Sequence, residues 1–288
     1  MQPISILGSD TAALTAALAD RLDGRVAAVD RRARSDGDGD STNEGATDGG
    51  VTGVRDAAAT PTDPDYDTEI ALAADGSWSG SGRVDGLDEV LDDLAPAHDY
   101  LIVLGESRLR VPAVLLGDGF DPDDVPGQVL AAAPSADGVA LDRLVADLDD
   151  AEPWITRETL VRRVERSADA DRSGAIATFT GRVRERDGAD DDRTTHLAFE
   201  KYEGVAGDRM DAIAADLTER DGVFDVRMHH RTGVIESGED IVFVVVLAGH
   251  RREAFRAVED GIDRLKDEVP IFKKETTEAE AFWVHQRE

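Results

Sequence analysis

The scarcest charged side chain in this sequence marks its first candidates for chemistry. The chain has four lysines, Lys201, Lys266, Lys273 and Lys274, and arginine supplies nearly all other positive charge. A lysine amine can act as a base, a nucleophile or a phosphate anchor, and arginine cannot replace it as a base or nucleophile. Paired lysines are ordinarily part of a solvated surface. Here the depletion elsewhere makes a catalytic role for the segment 266–274 an equally good interpretation.

Other basic residues stand where apolar segments end. The two clusters are His250 with Arg251, and Arg182 with Arg184 on either side of Val183. The first opens a predicted helix, where backbone N–H groups favour anions. The second follows a predicted strand, in which alternate residues point the same way. Helix capping and charge at a sheet edge are the ordinary interpretations. Taken with the lysines, the three clusters suit a polyanionic small molecule.

A histidine pair offers little support for a metal site. His229 and His230 are adjacent, and neighbours in a strand face opposite sides of the sheet. The chain has no cysteine, and no H-x-x-x-H motif accompanies the pair. They are interpreted as ordinary strand histidines, and no bound metal and no cofactor are expected.

The elements that position these residues fall into two predicted domains, 1–150 and 151–288. The first begins as strand, helix and strand within 1–30, and apolar runs at 100–104 and 113–116 predict buried strands. The intervening stretch at about 34–67 is rich in Asp, Gly, Ser and Thr, so it is predicted to be a disordered insertion. The domain is expected to be α/β.

The second predicted domain mixes strands with long helices, and this indicates an α+β fold. Helices are predicted at 156–167, 205–220 and 252–268, and strands at 175–180, 195–202, 223–229, 241–247 and 281–285. In the last helix, Phe255, Val258, Ile262 and Leu265 are spaced 3, 4 and 3 apart and predict its buried stripe. Pro270 follows as a helix breaker.

The overall charge describes the solvent more than the ligand. Acidic residues outnumber basic ones by 62 to 32, which gives a formal net charge of −30. Such acidity disfavours nucleic acid and anionic membranes as partners. The composition resembles that of proteins from salt-in halophilic archaea, where a Debye length of about 3 Å at molar salt screens self-repulsion. There is no apolar run of about 20 residues and no signal-peptide pattern, so a cytoplasmic location is expected.

Several motifs occur in an order that closely resembles one family. The segments are 174–184, 197–202, 230–233, 238–244, 248–251 and 266–275. Together they resemble the MoaE family, the catalytic subunits of molybdopterin synthase, over roughly 151–288. The resemblance implies a homodimer of α/β hammerhead type. It also implies a small β-grasp sulfur carrier, MoaD-like, whose Gly-Gly tail ends in a thiocarboxylate, and thus a heterotetramer. The implied reaction transfers two sulfurs to cyclic pyranopterin monophosphate and gives molybdopterin.

Site residues follow from the same resemblance. It implies that Lys266 is the essential lysine and Lys273 a second one. Substrate contact is implied for Arg182, Val183, Arg184, His250, Arg251, Lys273, Lys274 and Glu275. A monophosphate and a thiocarboxylate are both anions, so charge-assisted hydrogen bonds from these cations fit the substrates. The absence of cysteine agrees with sulfur arriving on a partner. Many family members have lysine where this chain has Arg182, which keeps the charge.

The N-terminal motif at 8–15 is a degenerate P-loop. Against the template G-x-x-x-x-G-K-[ST], Ala13 replaces the second glycine and Leu14 the lysine, whereas Thr15 remains. With the segments 99–107 and 114–118, it resembles the MobB family of molybdopterin-guanine dinucleotide biosynthesis adaptors. Loss of the lysine predicts no NTPase activity. The domain is then a docking or tethering unit, or one that only packs.

Two other function classes remain open at this level. In the first, the chain is a non-enzymatic adaptor or acceptor whose clustered lysines take a β-grasp, ubiquitin-like carrier tail as a lasting isopeptide. In the second, it is a nucleotide-binding regulator built on the N-terminal domain, and the missing P-loop lysine counts against that interpretation. Turnover of a pyranopterin separates the enzyme from the adaptor.

Overall fold

A computed structural model describes residues 1–31, 68–186, 188, 191–202, 204–277 and 281–284. The insertion predicted at about 34–67 lies outside these residues. Within the described residues, no strand before residue 150 pairs with a strand after it. The domain boundary near 150 stays a prediction.

The first part of the chain is a parallel sheet covered by helices on both faces. Its strands are β1 (Gln2–Gly8), β2 (Val26–Asp30), β5 (Tyr100–Leu104), β6 (Ala113–Leu116) and β7 (Val129–Ala133), in the order β2-β5-β1-β6-β7. The helices are α1 (Thr11–Ala19), α2 (Leu87–Leu94) and α3 (Leu141–Asp149). A separate hairpin joins β3 (Thr68–Leu72) to β4 (Trp78–Gly82).

Burial on both faces explains the unbroken apolar runs of this sheet. Within β5, Ile102 packs with the core that α1 and α3 share, whereas Leu101 and Val103 pack with the core of α2. All three side chains have no exposed surface. Burying each stabilises the fold by roughly 1.5–3 kcal/mol relative to exposure. The predicted α/β character of this part is confirmed at the level of a helix-covered parallel sheet.

The second part has two antiparallel sheets and three helices. The first sheet has the strand order β10 (Val223–His230), β12 (Asp240–Ala248), β8 (Ala175–Arg182). The second has the order β11 (Gly233–Glu236), β9 (Thr194–Lys201), β13 (Ile271–Thr277), β14 (Ala281–Val284). The helices are α4 (Arg157–Glu165), α5 (Val205–Thr218) and α6 (Arg251–Glu268). This mixed content agrees with the predicted α+β class.

Helix α6 packs across β8 and β12 and runs antiparallel to β12. Gly261 permits the close approach, because a Cβ there would lie 3.1 Å from a methyl carbon of Val244. The buried stripe of the helix is Ala254, Ala257, Val258, Gly261, Ile262 and Leu265. The predicted membership of Phe255 in this stripe is wrong, because its side chain is 64% exposed. It lies about 100° around the helix from Ala254, on a flank that β12 does not cover.

One tryptophan links the two parts of the chain. The Trp154 ring packs with the core of α2, and its indole N–H donates to Asp92 of that helix at 2.7 Å. The Trp154 backbone N–H donates to the carbonyl of Met1 at 2.8 Å. From the other side, the Arg231 guanidinium stacks on the ring, 5.1 Å from its centroid.

Within the described residues, no helix is long and apolar enough to cross a membrane.

Candidate active site

Lys266 and Lys273 lie on either side of the sharp turn that ends α6. Lys266 is exposed in the last helical turn, where a cation complements the helix dipole. The helix ends at Glu268, and β13 begins at Ile271, immediately after Pro270. Lys273 is half-buried on β13, opposite Phe199 of β9. The segment after Pro270 is therefore an internal strand of a sheet, and the sheet fixes the position of Lys273.

The next two residues of β13 point to opposite faces. Glu275 is opposite Leu197 and shares the face of Lys273, whereas Lys274 is opposite Ala198 on the other face. The Glu275 carboxylate accepts a hydrogen bond from the Thr194 hydroxyl at 2.6 Å. A carboxylate on the Lys273 face gives this edge of the site both signs of charge.

Arg182 is held by Asp240 and by the loop between β11 and β12. The Arg182 Nε lies 3.1 Å from an Asp240 carboxylate oxygen, and its terminal nitrogen donates to the Gly238 carbonyl. Val183, between the arginines, is only 2% exposed. Its backbone N–H donates to Glu239 and its carbonyl accepts from Gly238, both at 2.9 Å. The Val183 side chain therefore anchors its neighbours, and its predicted substrate contact stays a prediction.

His250 and Arg251 lie at the opposite end of α6 from Lys266. Both side chains are exposed, and the His250 carbonyl accepts the Ala254 N–H that opens the helix. Fifteen helical steps from Arg251 to Lys266 correspond to about 22 Å along the axis. His250 and Arg251 therefore lie far from Lys266 within one chain, and the polyanionic ligand of the three clusters stays a prediction.

The pairing of β8 with β12 shows which clusters share an end. Arg182 pairs with Asp240 at the start of β12, whereas Ala175 pairs with Ala248 at its end. Because α6 runs antiparallel to β12, its Lys266 end lies over the end of the sheet that carries Arg182. Lys266, Lys273 and Arg182 thus belong to one end, and His250 and Arg251 belong to the other.

An ion-pair network that the sequence analysis missed fixes the C-terminal turn of α6. Arg264 Nε lies 2.6 Å from Glu268 and a terminal nitrogen lies 3.0 Å from Asp216 of α5, while Arg209 of α5 also contacts Glu268. The Arg264 hydrogen bond lowers the pKa of Glu268. The network orients the turn that carries Lys266. The four-residue spacing of Arg264 and Glu268 was the signal available in the sequence.

The fourth lysine belongs to a second cluster that the sequence analysis did not assign to the site. Lys201 Nζ lies 2.9 Å from a Glu152 oxygen, and the Thr232 hydroxyl donates to the other Glu152 oxygen. Burial, with Lys201 as the next cause, lowers the pKa of His229 to about 3. Burial also lowers the pKa of His230 to about 4. Both imidazoles are therefore neutral near pH 7, as ordinary strand histidines are.

Metal ligation finds no support in the described ranges. Among those residues, no group of three or more histidine or carboxylate side chains could hold a metal ion. His230 instead stacks edge-on against Phe199, with ring centroids 4.8 Å apart, and its Nδ1 lies 2.7 Å from the Arg231 carbonyl.

The segment predicted to be a degenerate P-loop is a short turn followed by a helix. Helix α1 begins at Thr11, so only two residues separate it from β1. Leu14, in the template's lysine position, is fully buried. The Thr15 hydroxyl donates to the Thr11 carbonyl at 2.8 Å. At Gly8 a Cβ would lie 1.8 Å from the Leu116 carbonyl oxygen, so the strand end is packed against β6. The loss of nucleotide binding stays a prediction.

Comparison with known proteins agrees with the motif order. The MoaE protein family matches residues 153–268. The "Probable molybdopterin synthase" of Haloferax volcanii is 50% identical over 287 residues, covering 100% of both chains. The molybdopterin synthase catalytic subunit of Bacillus subtilis is 36% identical over 130 residues, covering 45% of this chain and 79% of its own. The crystal structure of molybdopterin synthase from Staphylococcus aureus has a TM-score of 0.41 and 31% identity, covering 47% of this chain and 93% of its own. This chain belongs to the molybdopterin synthase family, and residues 153–268 are its MoaE domain.

Proposed function

We propose that this chain is the catalytic subunit of a molybdopterin synthase that moves sulfur from a thiocarboxylated carrier protein to cyclic pyranopterin monophosphate. One observation within the chain carries the proposal. Lys266 and Lys273 flank one turn, at the same end of the domain as Arg182. An amine that can exchange a proton, a second ammonium and a guanidinium are what an anionic acceptor and an anionic sulfur donor need.

The proposed roles follow from exposure and surroundings. Lys266 is exposed on a helix turn braced by the Arg264 and Glu268 pair, so it is accessible as the acid–base group or as a transient covalent amine. Lys273 is half-buried and fixed by its sheet, which suits stabilisation of negative charge that develops during transfer. Arg182 and Arg184 supply cations for the substrate phosphate.

A second copy of the chain would complete the site with His250 and Arg251. Among the described strands, β8 pairs only with β12 and forms the outer edge of its sheet. Two apolar side chains of β8 and α6 are exposed, Ile176 at 39% and Phe255 at 64%. The opposite flank of α6 is covered by α5 through the ion pair of Arg264 with Asp216.

Symmetry then decides which ends of the helices meet. Phe255 and Lys266 are eleven residues apart, about three turns, and so share one flank of α6. A two-fold axis that is perpendicular to α6 at this flank would make the two α6 helices antiparallel. His250 and Arg251 of the second copy would then approach Lys266 of the first. In the proposed homodimer, His250 and Arg251 of one copy and Lys266 of the other would thus lie close together, although about 22 Å separates Arg251 from Lys266 within one chain.

The remaining parts of the proposal concern the fold type and the partners. The second domain is proposed to be of the α/β hammerhead type and to bind one MoaD-like β-grasp carrier per copy, which gives a heterotetramer. No cofactor is proposed, because the carrier brings the sulfur. The N-terminal domain is proposed to be a degenerate MobB-like unit without NTPase activity. The alternative of a non-enzymatic isopeptide acceptor is not favoured by the relatives, which are synthases.

The test compares turnover with covalent attachment. The protein is incubated at molar salt with cyclic pyranopterin monophosphate and either a thiocarboxylated carrier or the same carrier ending in a carboxylate. We expect molybdopterin only with the thiocarboxylate, with two carriers consumed per product and no gain in mass of the protein. A stable carrier adduct on Lys266 or Lys273 without any molybdopterin would overturn the proposal and support the acceptor.

A further inference from the structure

Glu152 lies just outside the MoaE match at 153–268 and yet holds two residues inside it. One carboxylate oxygen is 2.9 Å from Lys201 Nζ, at the end of β9, and the other accepts a hydrogen bond from Thr232 between β10 and β11. The side chains of Lys201 and Glu152 are 21% and 36% exposed, so solvent screens the pair only in part. The segment that leaves α3 is thus attached to two strands of the catalytic domain.

The strand register connects this pair to Lys273. Lys201 is opposite Ile271 of β13, and Phe199 is opposite Lys273 two residues further along. Directly opposed residues of antiparallel strands share a face, so Lys201, Phe199 and Lys273 project from the same side of the sheet. Lys201 and Lys273 therefore lie on one strand pair, two residues apart in register.

Charge balance gives Glu152 a second effect on this face. His230 is buried and His229 is half-buried, both imidazoles are neutral near pH 7, and Arg231 adds a further cation nearby. Glu152 is the carboxylate that forms an ion pair with Lys201. Without it, the Lys201 ammonium would have its charge uncompensated on the face that also carries Lys273, and like charges there repel.

We propose that Glu152 is a positioning residue for sulfur transfer: by binding Lys201 and Thr232 it holds β9, and through β9 the strand β13 that carries Lys273. The segment that connects the two predicted domains then contributes to catalysis. This inference rests on the proposed function, since it assigns Lys273 to the reaction.

The test uses the full chain with Glu152→Gln and Lys201→Met, alone and combined. Asp92→Asn is the control, because it removes a charge at the contact with Trp154 and leaves an acceptor for the indole N–H. For Glu152→Gln and Lys201→Met we expect kcat to fall by about three- to tenfold, with KM for the carrier unchanged. The double variant should lose no more than either single one, because both break the same pair. The control should keep the wild-type kcat.

A second readout does not depend on turnover. Hydrogen exchange of the β13 amides, followed by mass spectrometry at 271–277, should quicken in Glu152→Gln and stay unchanged in Asp92→Asn. Unchanged exchange together with unchanged kcat would overturn the inference, and so would equal losses in the control. If the wild type makes no molybdopterin, the proposed function fails, while the exchange data still decide whether Glu152 holds β13.

Discussion

Mixed dimers offer a quantitative test of whether two chains share each active site. Arg251 and Lys266 lie about 22 Å apart along one helix, farther than their two side chains can span to meet one small substrate. If the second copy supplies Arg251, then Lys266→Ala and Arg251→Ala are each inactive as pure dimers. A dimer with one chain of each kind has one site with both residues intact and one site with neither.

The expected activity follows from counting sites. Random pairing of equal amounts of the two variants gives about half mixed dimers, each with one of two sites intact, so the preparation should regain about a quarter of wild-type activity. Mixed dimers isolated with two different affinity tags should show about half. The assay is molybdopterin formation at molar salt after subunit exchange, with native mass spectrometry to count mixed dimers. Activity no higher than the mean of the pure variants, with mixed dimers present, would refute the shared site.

Three further predictions concern stability and the N-terminal motif. His229 and His230 have folded pKa values of about 3 and 4, below the unfolded value of 6.5, so the unfolded chain binds more protons below pH 6.5. The free energy of unfolding should therefore fall as the pH is lowered from 6.5 to 5, before carboxylates titrate. Denaturant titrations of His230→Asn should show a smaller fall over the same pH range than those of the wild type, and an equal fall would contradict this. Leu14→Lys restores the P-loop lysine but buries an unpaired charge, so it should lower the free energy of unfolding by several kcal/mol. Calorimetry should detect no nucleotide binding by this variant, and ATP binding would refute the prediction that the motif is a degenerate P-loop. With a net charge of −30, the melting temperature should rise between about 0.1 and 2 M KCl, and a flat response would show that self-repulsion is unimportant.

Local patterns predicted the helices and strands well where one physical signal dominated. The apolar run at 241–247 and the helix before Pro270 were found because burial and helix breaking act on neighbours in sequence. The prediction that Phe255 is buried was wrong, because its spacing fits the buried stripe equally well. Only the position of α5 decides which flank of α6 is covered. The fold's two-sheet arrangement in the second part could not be read from periodicity, since register depends on strands far apart in sequence.

The site was predictable in its residue types but not in its assembly. Scarcity pointed to Lys266 and Lys273, and positions at the ends of predicted elements pointed to Arg182, His250 and Arg251. Nothing in the spacing showed that His250 and Arg251 lie a helix length away from the lysines, because that distance arises only once α6 forms. Lys201 stood outside the cluster of three and was passed over, although its scarcity was the same signal. Its partner Glu152 becomes a neighbour only through tertiary packing.

The central claim is that an amine of this chain is required for turnover of the pyranopterin. The most direct measurement is the rate of molybdopterin formation from cyclic pyranopterin monophosphate and thiocarboxylated carrier by wild type, Lys266→Ala and Arg256→Ala. Arg256 is the matched control, an exposed cation on another flank of the same helix. We predict that Lys266→Ala loses at least about 100-fold in rate, as expected for a general acid–base group, while it stays folded by circular dichroism and Arg256→Ala keeps its rate. Equal rates for Lys266→Ala and wild type would contradict the account.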